Sequence, residues 1–222
     1  MDRIIIFAVL SLLVVAVSWR TIFKLKSHGF YRFISWLCIA WLISTNYRTW
    51  FTDPFSIRQI FSWIFLLISA YLVIAGVILL KKTGKPKRDR NDKSLYQFEQ
   101  TTELVDTGIF KYIRHPLYSS LLFLTWGVFL KNPTLWLSLM TALSSVFLYL
   151  TALVDEKECI DFFGDKYIEY MKRSKRFIPF IFEEHNLCLT IKYPIKTPGN
   201  FCSPLRLPFL LFGSREKNVV QD

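Results

Sequence analysis

The chain has 222 residues, enough for one domain of ordinary size. Its content of 52% hydrophobic and only 20% charged residues excludes a disordered chain, and its few glycines, prolines and cysteines exclude a collagen-like or disulfide-rich fold. The formal net charge of +11 makes nucleic acid the first partner to consider, but the placement of the charge argues against it.

Five apolar blocks follow one another along the chain and indicate lipid as the surrounding solvent. They cover residues 4–19, 33–44, 60–80, 117–130 and 134–154. The third and fifth blocks carry no charge and reach the roughly 20 residues that an α-helix needs to cross a bilayer. The first block reaches this length only with its flanks, and the fourth is short. Residues 16–18 faintly resemble a signal-peptide cleavage site, but the leader has almost no positive charge, so we interpret block one as a retained helix.

Lysine and arginine predict the orientation of these helices. Of the 28 basic residues, 24 lie in the loops after blocks one and three or in the tail after block five. Basic loops face the cytoplasm, which predicts a multi-pass integral membrane protein with its N-terminus outside and its active site and C-terminus in the cytoplasm. The orientation bias and attraction to anionic lipid head groups therefore account for the net positive charge. No soluble domain of convincing size carries these basic residues, so no nucleic-acid partner is predicted.

The sequence therefore predicts an all-α, polytopic membrane bundle of about five transmembrane helices. Residues 156–176 add a cytoplasmic C-terminal amphipathic helix, because apolar side chains recur there at spacings of three and four. This helix could bind lipid head groups or form a lid. We divide the chain into residues 1–96, 97–181 and 182–222. The four cysteines form no C-x-x-C pair, and neither a disulfide nor a metal site is predicted.

Blocks four and five are joined by only residues 131–133, which predicts an antiparallel helical hairpin. The start of one helix and the end of the other then lie at the same membrane interface. Arg114 and the free N–H groups of the helix that opens at Pro116 suit an anion such as a carboxylate. Asp155 and Glu156, at the end of the partner helix, suit cationic or hydroxyl groups.

Spacing alone leaves two interpretations of these charges open. They could form the two poles of a pocket for a zwitterionic, amino-acid-like cofactor, lined by Phe110 and Tyr118. Alternatively, Arg114 could simply form an ion pair with Asp155 or Glu156 that anchors the hairpin.

Two stretches together resemble the signature of the isoprenylcysteine carboxyl methyltransferase and phospholipid methyltransferase superfamily. The first contains Leu104, Val105, Gly108, Phe110, Arg114, His115, Pro116 and Tyr118. The second contains Asp155, Glu156, Phe163, Gly164, Tyr167, Tyr170, Phe177, Ile178 and Pro179. The resemblance covers about residues 97–181, and it implies an integral-membrane methyltransferase that uses S-adenosylmethionine.

The resemblance also implies a set of site residues. Those that would bind the cofactor are Thr102, Glu103, Leu104, Val105, Gly108, Phe110, His115, Pro116, Leu117, Tyr118 and Asp155. Glu156 and Arg114 are the predicted catalytic residues, and no metal is required. If the acceptor is an ammonium lipid, Glu156 is the first candidate for the base that removes its proton, and His115 is the second.

Two departures from the family pattern bear on the substrate. Asp155 stands where the family usually has a glutamate. Thr151 stands where the isoprenylcysteine enzymes have an arginine that would face a substrate carboxylate. The predicted acceptor is thus a lipophilic molecule from the bilayer: a prenylcysteine carboxylate, an amino-phospholipid or a small hydrophobic acceptor. The alternatives are an NADPH-dependent, sterol-type membrane reductase and an inactive membrane scaffold of the same fold.

Overall fold

A computed structural model of the protein describes residues 1–23, 27–84 and 101–179. They form six α-helices: α1 (Asp2–Ile22), α2 (His28–Asn46), α3 (Ile57–Thr83), α4 (Pro116–Phe129), α5 (Leu135–Phe163) and α6 (Asp165–Arg173). Short 3₁₀ helices lie at Tyr47–Thr49 and Gly108–Lys111. The all-α class is confirmed within these ranges. The predicted basic loop beyond residue 84 and the tail 182–222 lie outside them.

Three of the described helices are long and apolar enough to cross a membrane, namely α1, α3 and α5. Large apolar side chains along them face outward, as Leu12, Leu67 and Leu139 illustrate. An exposed apolar surface of this extent is stable against lipid rather than water. The fourth predicted block is α4, an apolar helix of 14 residues that is shorter than a full span. The count of five spans stays a prediction.

The second predicted block, α2, differs because it lies inside the bundle. It packs against α1, α4 and α5, and its buried side chains include His28, Arg32, Ser35 and Asn46. These polar groups find partners on neighbouring helices. Ser35 Oγ lies 2.8 Å from Ser144 Oγ on α5, and Asn46 donates to the Val128 carbonyl at the end of α4 over 2.9 Å. Neighbouring helices thus replace the water that these groups would otherwise require.

Small residues hold α3 close to α4. Ser62 and Ser69, seven residues apart on α3, each donate a 2.7 Å hydrogen bond to a backbone carbonyl of α4, at Gly127 and Ser120 respectively. A Cβ at Gly127 would come within 3.0 Å of the Leu66 side chain. Close backbone approach through small residues is typical of packing between membrane helices. This close packing fixes the position of the first turn of α4, which begins at Pro116.

The predicted amphipathic helix over 156–176 is divided at Gly164. Helix α5 continues to Phe163, Gly164 turns the chain with φ 61° and ψ −139°, and α6 begins at Asp165. Only glycine adopts this backbone conformation without strain. The sharp corner lets α6 fold back, so that Tyr167, Tyr170 and Met171 are buried.

We expect Gly164→Ala and Gly108→Ala both to destabilise the fold by about 1–3 kcal/mol, because both glycines have positive φ. A methyl group at Gly164 would meet nothing within 4 Å, whereas one at Gly108 would lie 2.7 Å from Leu79 Cδ1. The loss should therefore be larger for Gly108→Ala, which adds crowding to backbone strain. Thermal unfolding in detergent would measure both, and two unchanged melting temperatures would contradict the expectation.

Candidate active site

The helical hairpin brings together the two chain segments that the sequence singles out. His115 caps α4 with Pro116 as its first residue, and its Nδ1 lies 3.4 Å from an Asp155 carboxylate oxygen near the end of α5. Its Nε2 lies 3.4 Å from Glu156 Oε1. The predicted hairpin is thus present, and one imidazole faces both members of the acidic pair.

Consecutive residues on a helix point in different directions, and Asp155 and Glu156 therefore have different surroundings. Glu156 is completely buried, and its Oε1 accepts from Arg114 Nε at 2.9 Å. Arg176 adds two more hydrogen bonds, one to each carboxylate oxygen, at 3.0 and 2.8 Å. The anchoring ion pair of the second interpretation thus exists, and it uses Glu156. Asp155 is left facing the cleft.

Arg114 is held from several sides. Besides Glu156, its guanidinium donates to the backbone carbonyls of Met171 and Ser174 at the end of α6. Its side chain is almost fully buried. Arginine is suited to this position because its fork of donors satisfies a carboxylate and two carbonyls at once.

The segment after α6 lies along the stretch before α4 like a short parallel strand. Arg114 N donates to Lys175 O at 2.7 Å, Lys175 N to Tyr112 O at 2.9 Å, and His115 N to Arg176 O at 3.2 Å. Ser119 on α4 also donates its hydroxyl to Phe177 O at 2.8 Å. These bonds fix the backbone on both sides of the imidazole. They favour the lid interpretation of the amphipathic region over free contact with head groups.

The His115 ring is buried between carboxylates and an aromatic ring. Burial alone would lower the pKa of His115, but hydrogen bonding to Asp155 and Glu156 outweighs it and raises that pKa above the ordinary value. The imidazolium form therefore persists to higher pH than in an exposed histidine. Tyr118, three residues further on, stacks on the ring with centroids 5.3 Å apart.

A cleft opens beside these residues. Nine predicted site residues line it: Leu104, Val105, Phe110, Arg114, His115, Pro116, Leu117, Tyr118 and Asp155. Four others do not: Thr102, Glu103, Gly108 and Glu156. The amides of Thr102 and Glu103 instead bond Gly84 O at the end of α3. Gly108, with φ +58°, turns the chain into the 3₁₀ helix that carries Phe110.

Several cleft residues lie outside the predicted set. They are Leu80, Thr101, Cys159, Phe163, Tyr167 and Tyr170. The apolar spacing of the last three marked them as one helical face, but the fold of α6 over the cleft cannot be read from that spacing. Tyr170 is fixed there by a 2.6 Å hydrogen bond to Phe110 O. Cys159 lies one turn beyond Asp155, with its sulfur 3.9 Å from that carboxylate.

Charged groups from α2 also lie near Asp155, and no sequence pattern predicted a role for them. His28 Nδ1 lies 2.6 Å from Glu158 Oε2, and His28, Asp155 and Glu158 each bring one ligand-type atom within 4.8 Å of the others. Buried Arg32 lies one turn after His28 on α2. An available signal was the recurrence of polar residues in an otherwise apolar helix, at positions 28, 32 and 35.

Comparison with known proteins finds matches to the stretch of the chain that contains the hairpin. The phospholipid methyltransferase family model matches residues 57–166, which include α3 as well as the hairpin. The protein-S-isoprenylcysteine O-methyltransferase of Xenopus laevis is 28% identical over 148 residues, which are 64% of this chain. The chain belongs to the superfamily of phospholipid and isoprenylcysteine methyltransferases.

A bacterial relative in this superfamily is methanethiol S-methyltransferase 1 of Bradyrhizobium diazoefficiens, 28% identical over 72 residues and 32% of this chain. The matched stretches cover 25% of that relative and 48% of the Xenopus protein. The chain thus aligns with less than half of either curated relative. No solved structure matches it. The matched family model covers α3 and the hairpin but neither α1 nor α2.

Proposed function

We propose that the protein is an integral-membrane methyltransferase that transfers a methyl group from S-adenosylmethionine to a lipophilic acceptor. The observation that carries the proposal is the cleft where His115 and Asp155 meet among aromatic side chains, beside a buried Glu156 that is already neutralised by two arginines. We further propose the orientation that the basic loops predict, with this cleft on the cytoplasmic side.

The lining of the cleft fits this cofactor in its chemistry. Asp155 offers a carboxylate to a cationic amino group, and Phe110 and Tyr118 offer aromatic surface to an adenine ring. The cofactor supplies an activated methyl group on a sulfonium that is its own leaving group. The protein therefore needs neither a metal nor a covalent nucleophile for this transfer.

The geometry supports different roles for Glu156 and Arg114 from those first predicted. Glu156 has no exposed surface and accepts hydrogen bonds from Arg114 and Arg176. A carboxylate held in this way is a poor proton acceptor, because protonation would remove the negative charge to which both guanidinium groups donate. We therefore propose that both residues position His115 and the segment after α6, and that neither reacts.

The remaining task of the chain is to orient the reactants and exclude water. Tyr167 and Tyr170 cover the cleft from α6, and the backbone pairing with residues 175–176 holds that cover in place. Such a cover keeps the sulfonium from water while leaving the acceptor to arrive from the bilayer side. We propose this as the function of the α5–α6 corner.

The relatives' names point to three acceptor classes: a phospholipid, an isoprenylcysteine and methanethiol. Each is apolar or carries an apolar chain, which suits a site among lipid-facing helices. The nicotinamide-dependent reductase considered from the sequence gains no support from these relatives. We propose a lipophilic acceptor and do not choose among the three on their names.

A binding and transfer experiment tests the proposed function. We expect the detergent-purified protein to bind S-adenosylhomocysteine in isothermal titration calorimetry. We also expect it to pass a labelled methyl group from S-adenosylmethionine to a component of a whole-lipid extract, which chromatography and mass spectrometry would then identify. The absence of both binding and transfer would refute the proposal, and it is the result that the scaffold alternative predicts.

A further inference from the structure

The first turn of α2 forms a buried charged pair with the end of α5. His28, the first residue of α2, is completely buried, and its Nδ1 lies 2.6 Å from Glu158 Oε2. The other carboxylate oxygen of Glu158 accepts from the His28 backbone N–H at 3.4 Å. Glu158 therefore places a negative charge at the N-terminus of α2, the end of a helix that favours an anion.

Two carboxylates of α5 lie close together at this point. Asp155 and Glu158 are three residues apart and are therefore neighbours on one face of the helix. One oxygen of each carboxylate lies within 4.8 Å of the other and of a His28 nitrogen. Because two anions at this separation repel each other, both stay ionised only if a cation lies near them.

His28 meets this requirement as an imidazolium. A separation of 2.6 Å from Glu158 is that of a charge-assisted hydrogen bond, and two carboxylates around one imidazole favour its protonated form. The charged groups that act on the ring are Asp155 and Glu158 from α5 and Arg32 from α2. His28 does not itself line the cleft, so its charge acts on the neighbouring carboxylates.

Asp155 connects this pair with the cleft. It lines the cleft and its side chain is 16% exposed, whereas that of Glu156 is 0% exposed. His115 Nδ1 lies 3.4 Å from one Asp155 oxygen, and Cys159 Sγ lies 3.9 Å from the other. An uncompensated charge on Glu158 would turn the Asp155 carboxylate away or cause it to take up a proton. Either change would remove the negative charge that Asp155 presents to the cleft.

We propose that His28 is a positioning residue of the cofactor site: by neutralising Glu158, it keeps the Asp155 carboxylate ionised and directed at the amino group of the methyl donor. The inference rests on the proposed methyltransferase function. His28 touches neither reactant and takes no proton from the acceptor. Its complete burial outside the cleft fits this role, because a buried charge is retained where it is paired.

The test compares two ligands that differ in the amino-acid part of the cofactor. S-adenosylhomocysteine carries the amino group, whereas 5′-methylthioadenosine keeps the adenosine and the sulfur but lacks that group. We expect His28→Leu to weaken binding of S-adenosylhomocysteine by about 10-fold in isothermal titration calorimetry. Binding of 5′-methylthioadenosine should stay unchanged, because this ligand has no group for Asp155 to bind. A loss of packing alone would weaken both ligands alike.

Two double variants test the charge and the route of its action. Adding Glu158→Gln to His28→Leu removes the uncompensated carboxylate, so most of the lost affinity for S-adenosylhomocysteine should return. Adding His28→Leu to Asp155→Ala should cause no further loss beyond that of Asp155→Ala, because His28 acts through Asp155.

A matched variant controls for packing between the same two helices. Ser35→Ala removes another buried contact between α2 and α5, the one with Ser144, without touching the charged groups. It should lower the melting temperature and leave the ratio of the two ligand affinities unchanged. Should His28→Leu not fold, His28→Gln, which keeps a polar side chain at this position, takes its place in the comparison.

Several results would overturn the assignment. They are wild-type affinity for S-adenosylhomocysteine in His28→Leu, an equal loss for both ligands in a folded variant, and no recovery when Glu158→Gln is added. Wild-type affinity that EDTA removes and Zn²⁺ restores would also overturn it, because His28, Asp155 and Glu158 would then be metal ligands. Failure of the wild-type protein to bind S-adenosylhomocysteine at all would instead refute the methyltransferase function itself.

Discussion

Glu156→Gln should lower the free energy of unfolding by about 3–5 kcal/mol, because it removes the buried negative charge to which Arg114 and Arg176 both donate hydrogen bonds. The Arg114 and Glu156 side chains are 2% and 0% exposed, and Arg176 is 12% exposed, so water cannot replace the lost partner. Titration of the protein with sodium dodecyl sulfate in mixed micelles, followed by tryptophan fluorescence, would measure the loss.

An exposed ion pair provides the control for this prediction. Arg173 on α6 pairs with Asp106, but their side chains are 59% and 35% exposed. Exposed pairs of this kind contribute little, so Arg173→Ala should leave the stability almost unchanged. A Glu156→Gln variant as stable as Arg173→Ala would show that the buried cluster does not hold the hairpin to the segment after α6.

Asp155→Ala and His115→Ala should each weaken binding of S-adenosylhomocysteine by about 10- to 100-fold. Each removes a charged hydrogen-bonding group from the cleft, and a hydrogen bond to a charged group contributes about 1.5–3 kcal/mol. Asp155→Glu should retain most of the affinity, since it restores the carboxylate with one more methylene. Isothermal titration calorimetry would measure the three affinities in one detergent.

The matched control for these variants is Glu169→Gln, which removes an acidic charge from the exposed side of α6. Its affinity should equal that of the wild-type protein, because Glu169 does not line the cleft. Wild-type affinity in both Asp155→Ala and His115→Ala would contradict the site proposed here. An equal loss in Glu169→Gln would show that the effect follows net charge rather than position.

The helical class and the hairpin were predictable because they depend on local signals. Charge-free runs as long as 60–80 must form helices in lipid, where each backbone group needs a partner within the segment. The connection at 131–133 is too short for any arrangement except antiparallel neighbours. The Arg114–Glu156 ion pair of one interpretation is present in the structure. The other interpretation, a cofactor pocket with two charged poles, stays a proposal.

Other features could not be predicted, because they depend on which helix faces pack against each other. Lys131 in the turn between α4 and α5 is fully buried, with its ammonium 3.6 Å from the centre of the Trp63 ring and 3.0 Å from Gln59 Oε1. From the sequence it counted only as a basic residue on the outer side. Gln59 and Trp63 lie on α3, about 70 positions away in the chain, and no local pattern marks this contact.

The sequence by itself determined that the chain is helical, that it belongs in lipid, and that the Arg114–His115 and Asp155–Glu156 segments lie at one end of a hairpin. These outcomes follow from hydrophobic length, turn length and helix capping, which act within a few residues. Only the tertiary structure decided which acid faces the cleft, that α6 folds over it, and that α2 brings His28 beside Asp155. Those outcomes require side chains from distant segments to satisfy one another's charges and hydrogen bonds, and that requirement is met only when all the helices are packed together.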